Sequence, residues 1–500
     1  MNAVKRVGLF GGPVLFAATL LYPTLFALPE GMTPEMIKML AVVILMAIWW
    51  MTEALPIPVT ALLPIALFPT LGIMKSAETT PSYANHIIYL FIGGFFMAVA
   101  MEKWNLHKRI AMHTIRLVGD GPERVILGFM LATGFLSMWV SNTATAMMMV
   151  PVGMAVITQV VNLLKEKGSE VDPENFKFGT ALMLGIAYAA SIGGVATLIG
   201  TPPNTVLAGI VEKQYGQTIT FASWMAFGLP LSVTFLLITW FLLVKVMLRP
   251  EIDKLPGGME LINNELKKLG PMSRQEKQVL AIFGTVAVAW IALGFLKLPL
   301  ITDATISILG ALAMFIVPTN FQKNEFLLDW KSAAKIPWGV VILFGGGLAL
   351  TDGVSKVALD TWVTGQLTVL SGMAVIVLLA VIVFIAIFLT EVTSNTATAT
   401  LLIPAVGSLA IAMGIHPYGP MIAACVACSY AFMLPVATPP NAVVFGSGYV
   451  TIPQMSRVGF ILNLAGIVVV TLTVMYFLQA AWSIDLATLP DWALPLAAAK

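Results

Sequence analysis

The chain has 500 residues, and only 10% of them are Asp, Glu, Lys or Arg, whereas a soluble globular domain carries about 25%. Hydrophobic residues make up 58%, and the mean hydropathy is +0.91, which excludes a soluble enzyme and a disordered protein. The formal net charge of +2 lacks the basic excess of a nucleic-acid binder. Two cysteines cannot form a disulfide framework. The chain is therefore predicted to be an integral membrane protein.

Apolar segments follow one another almost to the end of the chain, and each is long enough for a membrane-spanning helix. The first follows Lys5 and Arg6 as a signal peptide would, but its length and two prolines favour a retained helix. We predict an all-α polytopic membrane protein with eleven spans, near 7–28, 36–54, 56–73, 84–101, 178–212, 224–248, 277–296, 301–318, 336–352, 418–449 and 456–481.

Three other segments break this pattern. The apolar regions near 124–164 and 366–414 carry small and polar residues at their centres. They are predicted to be re-entrant hairpins, which return to the side of the membrane from which they enter. The longest polar segment, 249–276, is predicted to be a cytoplasmic loop with a short helix at 259–268.

Lys and Arg concentrate on the cytoplasmic side of membrane proteins. If the chain starts inside, 21 of its 27 basic residues lie on the inside. The six that remain outside are Lys38, Lys75, Lys213, Lys297, Lys356 and Lys500. This bias predicts a multi-pass protein of the cell's inner (plasma) membrane with a cytoplasmic N-terminus and an external C-terminus.

Two motifs occur twice, in the same order. Ser-Asn-Thr-Ala-Thr-Ala occupies 141–146 and 394–399, an offset of 253, and Thr-Pro-Pro-Asn occupies 201–204 and 438–441, an offset of 237. Unpaired polar groups inside a membrane cost several kcal/mol. Polar motifs kept at matching interruptions of two halves therefore indicate a transporter's binding site near the membrane midplane.

The order of the predicted spans makes one hairpin open to each side of the membrane. The two halves are therefore predicted to be an inverted-topology repeat. The first half, 1–248, contains the hairpin near 124–164 and a broken helix near 178–212. The second half, 277–500, contains the hairpin near 366–414 and a broken helix near 418–449.

The motif residues suit a sodium site and an anion site that is built from uncharged groups. Hydroxyls, amides and free carbonyls are hard oxygen ligands for Na⁺ and poor ligands for zinc or copper. Proline should break the helices at 201–204 and 438–441, which frees carbonyls for a cation and leaves helix N-termini for an anion. Neither motif contains Arg or Lys, so a bound dianion is expected to depend on co-bound sodium.

These motifs, with the segment CSYAFMLPVATPPNAVV at 428–444, resemble the divalent anion/sodium symporter family over nearly the whole chain, and that segment fits the family's sodium symporter signature. The resemblance implies eleven spans, two re-entrant hairpins, a homodimer and an elevator-type movement of a transport domain against a scaffold.

The resemblance also implies site residues. The sodium ligands would be Ser137, Ser141, Asn142, Gly200, Thr390, Thr393, Asn395 and Ala437, several of them through backbone carbonyls. The substrate would contact Asn142, Thr143, Thr201, Asn395, Thr396, Thr438 and Pro439. Sodium is the expected coupling ion, and neither an organic cofactor nor a nucleic-acid partner is expected.

The leading hypothesis is a secondary carrier that imports C4-dicarboxylates (succinate, malate, fumarate) with Na⁺. A dicarboxylate exchanger and a citrate or sulfate carrier stay open, as do, from other classes, an ion channel and an intramembrane enzyme. The CxxC spacing of Cys425 and Cys428 lies in an apolar helix and favours packing over redox chemistry. Acids within spans are functional candidates, namely Glu53, Asp303 and Glu391, of which Glu391 either responds to protons or holds its hairpin.

Overall fold

The computed structural model describes residues 3–119, 121–166, 176–252, 258–296, 298, 300–367 and 372–494, which are almost entirely helical. The β structure in these ranges is one antiparallel pair, β1 (Pro318–Asn320) with β2 (Glu325–Phe326). Nine helices among the described residues are long and apolar enough to cross a membrane, and four further apolar helices have 10–17 residues. The predicted all-α polytopic fold is confirmed.

In the described residues of the first half there are twelve helices. They are α1 Ala3–Leu25, α2 Pro34–Thr52, α3 Ile57–Thr60, α4 Leu63–Leu71, α5 Ser76–Thr79, α6 His86–Lys103, α7 Leu106–Val118, α8 Pro122–Ser137, α9 Asn142–Glu166, α10 Lys177–Gly194, α11 Pro202–Tyr215 and α12 Phe221–Phe241. A 3₁₀ turn, Thr80–Ala84, precedes α6, and a π turn, Leu242–Met247, extends α12.

The described residues that follow form another twelve helices. They are α13 Gly258–Leu269, α14 Arg274–Leu296, α15 Asp303–Ile316, α16 Trp330–Ala333, α17 Trp338–Lys356, α18 Leu359–Leu367, α19 Val375–Thr390, α20 Asn395–Ala412, α21 Tyr418–Ala427, α22 Pro439–Phe445, α23 Ile452–Leu472 and α24 Gln479–Trp482. A π turn, Thr473–Leu478, joins the last two, and Asp491–Ala493 form a 3₁₀ turn.

The predicted spans omit α7 and α18. Helix α7 buries Leu106, Ala111 and Ile115 and exposes Lys108 and Arg116. Its charges keep its hydropathy below that of a span, but apolar residues spaced for one helical face were a usable signal. The helix expected at 259–268 is present as α13.

Both helix breaks lie before the prolines rather than within the Thr-Pro-Pro-Asn motifs. Residues 195–201 separate α10 from α11, and residues 428–438 separate α21 from α22. Proline is favoured at the first helical position because its missing N–H would have no intrahelical partner there. The prolines therefore start the second helix of each pair, and the freed carbonyls precede them.

Helix α10 lies at the centre of the larger hydrophobic core, and its residues from Phe178 to Gly194 are buried. It crosses α8 so closely that a Cβ on Gly193 would collide with the backbone of Gly134. A second core joins α2, α3, α4, α17 and α18. The two halves interlock, because α10 packs on α22 while α11 packs on α20 and α21.

Candidate cation and substrate site

The first hairpin ends in a tight tip between Ser137, the last residue of α8, and Asn142, the first of α9. Ser141 caps the N-terminus of α9. Its Oγ accepts a hydrogen bond from Ala144 N at 3.3 Å, and its carbonyl accepts one from Thr145 N. This use of a serine hydroxyl satisfies an N–H that the helix leaves free. The side chain of Ser141 therefore faces its own helix start.

The first break packs against that tip. Asn204 on α11 is fully buried, and its Nδ2 donates to Thr197 O at 2.7 Å and to Val195 O at 3.2 Å. The Thr197 hydroxyl donates in turn to the carbonyl of Met138 at 2.6 Å. The asparagine thus folds the loop back on its helix, and the threonine attaches the loop to the hairpin.

Three oxygen atoms and one end of the Asn142 side-chain amide converge where the tip meets the break. Ser137 Oγ lies 2.7 Å from Ala190 O and 2.6 Å from the Asn142 side chain. The same end of the Asn142 amide lies 3.2 Å from both Ala190 O and Gly200 O. We call Ser137 Oγ, Asn142 Oδ1, Ala190 O and Gly200 O the first oxygen cluster.

The Asn142 amide can be placed in the first oxygen cluster in two orientations. With Nδ2 towards the carbonyls, the amide donates to them. With Oδ1 in that place, the amide oxygen and two carbonyl oxygens face one another with no hydrogen between them, which is favourable around a cation. A Cβ on Gly194 would lie 2.5 Å from the amide oxygen, so glycine there leaves the amide its space. All four atoms are hard ligands and fit Na⁺.

The second hairpin repeats this arrangement. The Thr390 hydroxyl lies 2.7 Å from Asn395 Oδ1 and 3.1 Å from Cys428 O. These three atoms form the second oxygen cluster. Asn441 Nδ2 donates to Ala431 O at 3.1 Å and to Leu434 O at 3.0 Å.

The carbonyls held by the two asparagines occupy equivalent positions. Asn204 reaches the carbonyls seven and ten residues before it, at Thr197 and Gly194, and Asn441 does the same. The 237-residue offset between the motifs therefore extends into the loop geometry of both breaks.

A buried carboxylate distinguishes the second site from the first. Glu391 Oε1 accepts hydrogen bonds from Phe432 N at 2.7 Å and Met433 N at 2.9 Å, and Oε2 accepts one from Leu434 N at 3.2 Å. Asn463 on α23 donates its amide to Oε1 at 2.7 Å. Glu391 therefore holds the second break against its hairpin, which is one of the two roles expected for it.

The sodium residues expected from the sequence fall into two groups. Those brought together are Ser137, Asn142 and Gly200 in one cluster and Thr390 and Asn395 in the other. The carbonyls of Ala190 and Cys428 complete these clusters and were not among the expected residues, since neither the repeated motifs nor the family resemblance marks them.

Two further predicted sodium residues, Thr393 and Ala437, lie in the second hairpin and the second break. The Thr393 hydroxyl donates to Leu389 O at 2.8 Å and lies 2.6 Å from Thr398 Oγ1. It is therefore directed into its own hairpin rather than towards Asn395. Ala437 is buried at the end of the second break, directly before Thr438.

The predicted substrate residues occupy matching positions in both halves. Thr201 and Thr438 precede α11 and α22 with nearly identical extended backbones, at φ −142° ψ 141° and φ −141° ψ 148°. Only Thr438 caps its helix, because its hydroxyl accepts from Asn441 N. Thr396 is buried, Thr143 is half-buried, and Pro439 is exposed.

The other acids and cysteines have structural contacts. Glu53 forms an ion pair with Lys5 at 3.2 Å. Asp303 Oδ2 accepts from Phe221 N at 2.7 Å. Cys425 and Cys428 are fully buried.

Membrane-length helices, paired hairpins and paired helix breaks together define a polytopic helical transporter. The chain belongs to the family described as the sodium:sulfate symporter transmembrane region, which matches residues 11–484. Relatives named "Sodium-dependent dicarboxylate transporter SdcS", from Staphylococcus saprophyticus and Staphylococcus aureus, are 43% identical to it over 491 residues. Those alignments cover 97% of this chain and 93% of each relative. The family membership favours a carrier over an enzyme or a channel.

Two solved structures share the fold at much lower identity. The YdaH transporter of Alcanivorax borkumensis has a TM-score of 0.58 and 12% identity, with 97% of this chain and 100% of that chain covered. MtrF of Neisseria gonorrhoeae, whose title describes a class of antimetabolite efflux pumps, has a TM-score of 0.56 and 11% identity, with 94% and 95% covered. At such identities the likeness concerns the fold alone.

Proposed function

We propose that this protein is a secondary active transporter that imports C4-dicarboxylates such as succinate, malate and fumarate together with Na⁺. The observation that carries the proposal is the pair of oxygen clusters, each built where a hairpin tip meets a helix break. The naming of the 43% identical relatives as sodium-dependent dicarboxylate transporters agrees with it.

The first oxygen cluster is the proposed first sodium site, and the second oxygen cluster is the proposed second. The carbonyls of Ala190 and Cys428 join the expected ligands, and Ser141, Thr393 and Ala437 contribute, if at all, through their backbones. Neutral oxygen ligands favour Na⁺ through size and ligand hardness rather than through charge. Two bound Na⁺ ions would then balance the two negative charges of a dianion.

The dicarboxylate is proposed to bind between the two tips. Its contacts would be Asn142, Thr143, Thr201, Asn395, Thr396, Thr438 and Pro439. Amides and hydroxyls donate hydrogen bonds to carboxylates without adding net charge. Helix α11 has fourteen residues whereas α22 has only seven, so the helix dipole should contribute more on the α11 side.

The inverted repeat, with halves 1–248 and 277–500, the elevator movement and the homodimer are further parts of the proposal. The concentration of Lys and Arg on one side supports a cytoplasmic N-terminus, and ion pairs between residues assigned to the same side support the division of the loops between two sides. On the proposed inner side these pairs are Lys103–Asp329, Arg109–Glu276 and Lys245–Glu123, and on the outer side they are Lys213–Asp352, Lys356–Glu78 and His86–Glu212.

Uptake of labelled succinate into proteoliposomes tests the proposal. Uptake should be saturable and should require an inward Na⁺ gradient, with K⁺ unable to replace Na⁺. The double variant Asn142→Ala/Asn395→Ala, which lacks one amide from each cluster, should be inactive and serves as the matched control. Uptake that requires internal succinate and ignores Na⁺ would instead identify an exchanger. Competition by excess citrate or sulfate, stronger than that by malate, would reject the C4-dicarboxylate assignment.

A further inference from the structure

Two hydrogen bonds cross between the halves and connect the oxygen clusters. The Tyr188 hydroxyl on α10 donates to the carbonyl oxygen of Phe432 in the second break, at 2.9 Å. The Cys425 thiol on α21 donates to Asn204 Oδ1 at the start of α11, at 3.5 Å. Each bond therefore runs from the helix that precedes one break to a residue that shapes the other break.

The first crossing bond joins the two clusters by a short path. Tyr188 lies two residues before Ala190, whose carbonyl belongs to the first oxygen cluster. Its ring meets that of Phe432 edge-on, with centroids 5.0 Å apart. Phe432 N donates to Glu391, and Glu391 adjoins Thr390 of the second oxygen cluster. The side chain of Tyr188 is completely buried, so little free space absorbs a displacement along this path.

The second crossing bond runs in the opposite direction. Cys425 lies one helical turn before Cys428, whose carbonyl belongs to the second oxygen cluster. Asn204, which accepts from the thiol, holds the carbonyls of Val195 and Thr197 and thereby shapes the first break. A thiol is a weak donor, so this connection should be weaker than the one through Tyr188.

We propose that Tyr188 and Cys425 are positioning residues that couple the two cation sites, so that a cation in one oxygen cluster raises the affinity of the other. A cation in the first oxygen cluster draws in Ala190 O and thus shifts the end of α10. Tyr188 transmits that shift to the second break. The inference rests on the proposed function, because it presupposes that both clusters bind sodium.

The variant Tyr188→Phe tests the coupling because it keeps the ring and removes only the hydroxyl. Thermal stabilisation of the purified protein by Na⁺ without substrate, and Na⁺-activated succinate uptake, give the Hill slope and the half-saturating concentration. The Hill slope should fall towards one, and half-saturating Na⁺ should rise about fivefold or more, the lower end of typical site-to-site coupling. Tyr430→Phe is the matched control, since Tyr430 is equally buried, its ring lies 5.8 Å from that of Phe432, and its hydroxyl has no hydrogen-bond partner in the part of the chain that the structure describes.

A double-mutant cycle separates coupling from a local structural effect. In a Ser137→Ala background, where the first site binds Na⁺ more weakly, Tyr188→Phe should change half-saturating Na⁺ less than it does in the wild-type background. An equal change with and without Ser137→Ala would show a purely structural role and overturn the coupling. An unchanged Hill slope in Tyr188→Phe would overturn it as well, while sodium-dependent uptake by the wild type leaves the proposed function standing.

The cysteine gives a second, independent test in case Tyr188→Phe fails to fold. Cys425→Ala should lower the Hill slope, and Cys425→Ser, which keeps a donor, should restore it. Identical slopes in both cysteine variants would count against the coupling. A wild-type protein without any response to Na⁺ would overturn both the coupling and the proposed function.

Discussion

Asn463 on α23 donates its side-chain amide to the Glu391 carboxylate at the end of α19, with 2.7 Å between Nδ2 and Oε1. The same carboxylate accepts from three consecutive backbone N–H groups of the second break. The equivalent position in the first half, 253 residues earlier, is Met138, which takes part through its backbone carbonyl. The second break is therefore held by a charged group and the first by a neutral one.

Replacing Glu391 by Gln is expected to destabilise the protein and weaken sodium activation. One glutamine oxygen replaces Oε1, but the amide nitrogen then faces the N–H of Leu434, which loses its acceptor. An unsatisfied buried donor costs about 1–3 kcal/mol, measurable as a lower thermal midpoint in detergent. Glu265→Gln, on the loop helix α13, is the control. A thermal midpoint equal to that of the wild type would show that Glu391 does not hold the break.

The hydroxyls of Ser137 and Thr390 should each matter for sodium and little for folding. Ser137→Ala and Thr390→Val remove one oxygen from each cluster while nearly keeping the volume. We expect half-saturating Na⁺ to rise about tenfold in each, equivalent to about 1.4 kcal/mol.

Thr145→Val is the matched control for both variants. Thr145 lies on α9 within the first Ser-Asn-Thr-Ala-Thr-Ala motif, and its buried hydroxyl has no hydrogen-bond partner among the described residues. Sodium activation should change less than twofold. A tenfold change in this control would mean that packing near the tip, rather than ligand oxygen, sets the sodium affinity.

His416, in the turn between α20 and α21, should make stability depend on pH. Burial lowers the pKa of this imidazole from 6.5 to about 4, although the Asp485 carboxylate acts in the opposite direction. Its Nδ1 accepts from Tyr418 N at 3.2 Å, and its ring contacts Trp492. Protonation would therefore break a hydrogen bond and charge a buried ring.

The lowered pKa of His416 makes the folded protein less stable as the pH falls. The unfolded state binds the proton more readily, so the stabilisation is complete above pH 6.5 and is lost as the pH falls towards 4. The loss is up to about 3 kcal/mol, since one pKa unit corresponds to about 1.4 kcal/mol. Thermal midpoints at pH 7 and pH 5 should differ less in His416→Asn, which cannot titrate, than in the wild type and in the exposed control His113→Asn. Equal pH dependence in all three proteins would exclude His416 as the cause.

Arg109 on α7 should be required for stability. Its guanidinium forms a buried ion pair with Glu276 at 2.7 Å and donates to the carbonyls of Gly270 and Leu269. Arg109→Gln leaves the Glu276 charge buried without its partner, which costs about 3–5 kcal/mol. The thermal midpoint and the yield of folded protein measure this loss. Arg109→Gln/Glu276→Gln should recover part of it, and a double variant less stable than the single one would contradict the ion-pair explanation.

Much of the fold could be predicted from composition and repetition. Apolar segments of span length predicted nearly all the long helices, and the Thr-Pro-Pro-Asn motifs predicted two breaks. The position of each break was shifted, because Pro202 and Pro439 start helices rather than end them. Helix α7 was not predicted, because its charged residues lower its mean hydropathy although one of its faces is apolar.

The candidate site was predictable in part. Asn142 and Asn395 stand in the repeated motifs, and Ser137 and Thr390 stand four residues before the motif serines. The structure brings these four residues together in pairs, and the carbonyl of Gly200 was expected from the family resemblance. Ala190 and Cys428 contribute carbonyl oxygens, which every residue has, so no pattern distinguishes them. The crossing hydrogen bonds of Tyr188 and Cys425 could not be predicted from the sequence either, because they join residues more than 200 positions apart.

The sequence alone identified a membrane transporter in which two polar motifs occur twice in the same order, because hydropathy and motifs can be read from short segments of the chain. Only the tertiary structure decided how the halves interlock, which carbonyls complete the oxygen clusters, and that Glu391 accepts from a whole loop. Those features depend on the crossing of α10 with α22 and of α11 with α20 and α21. Packing between distant segments sets these contacts, and the order of residues in one segment does not specify them.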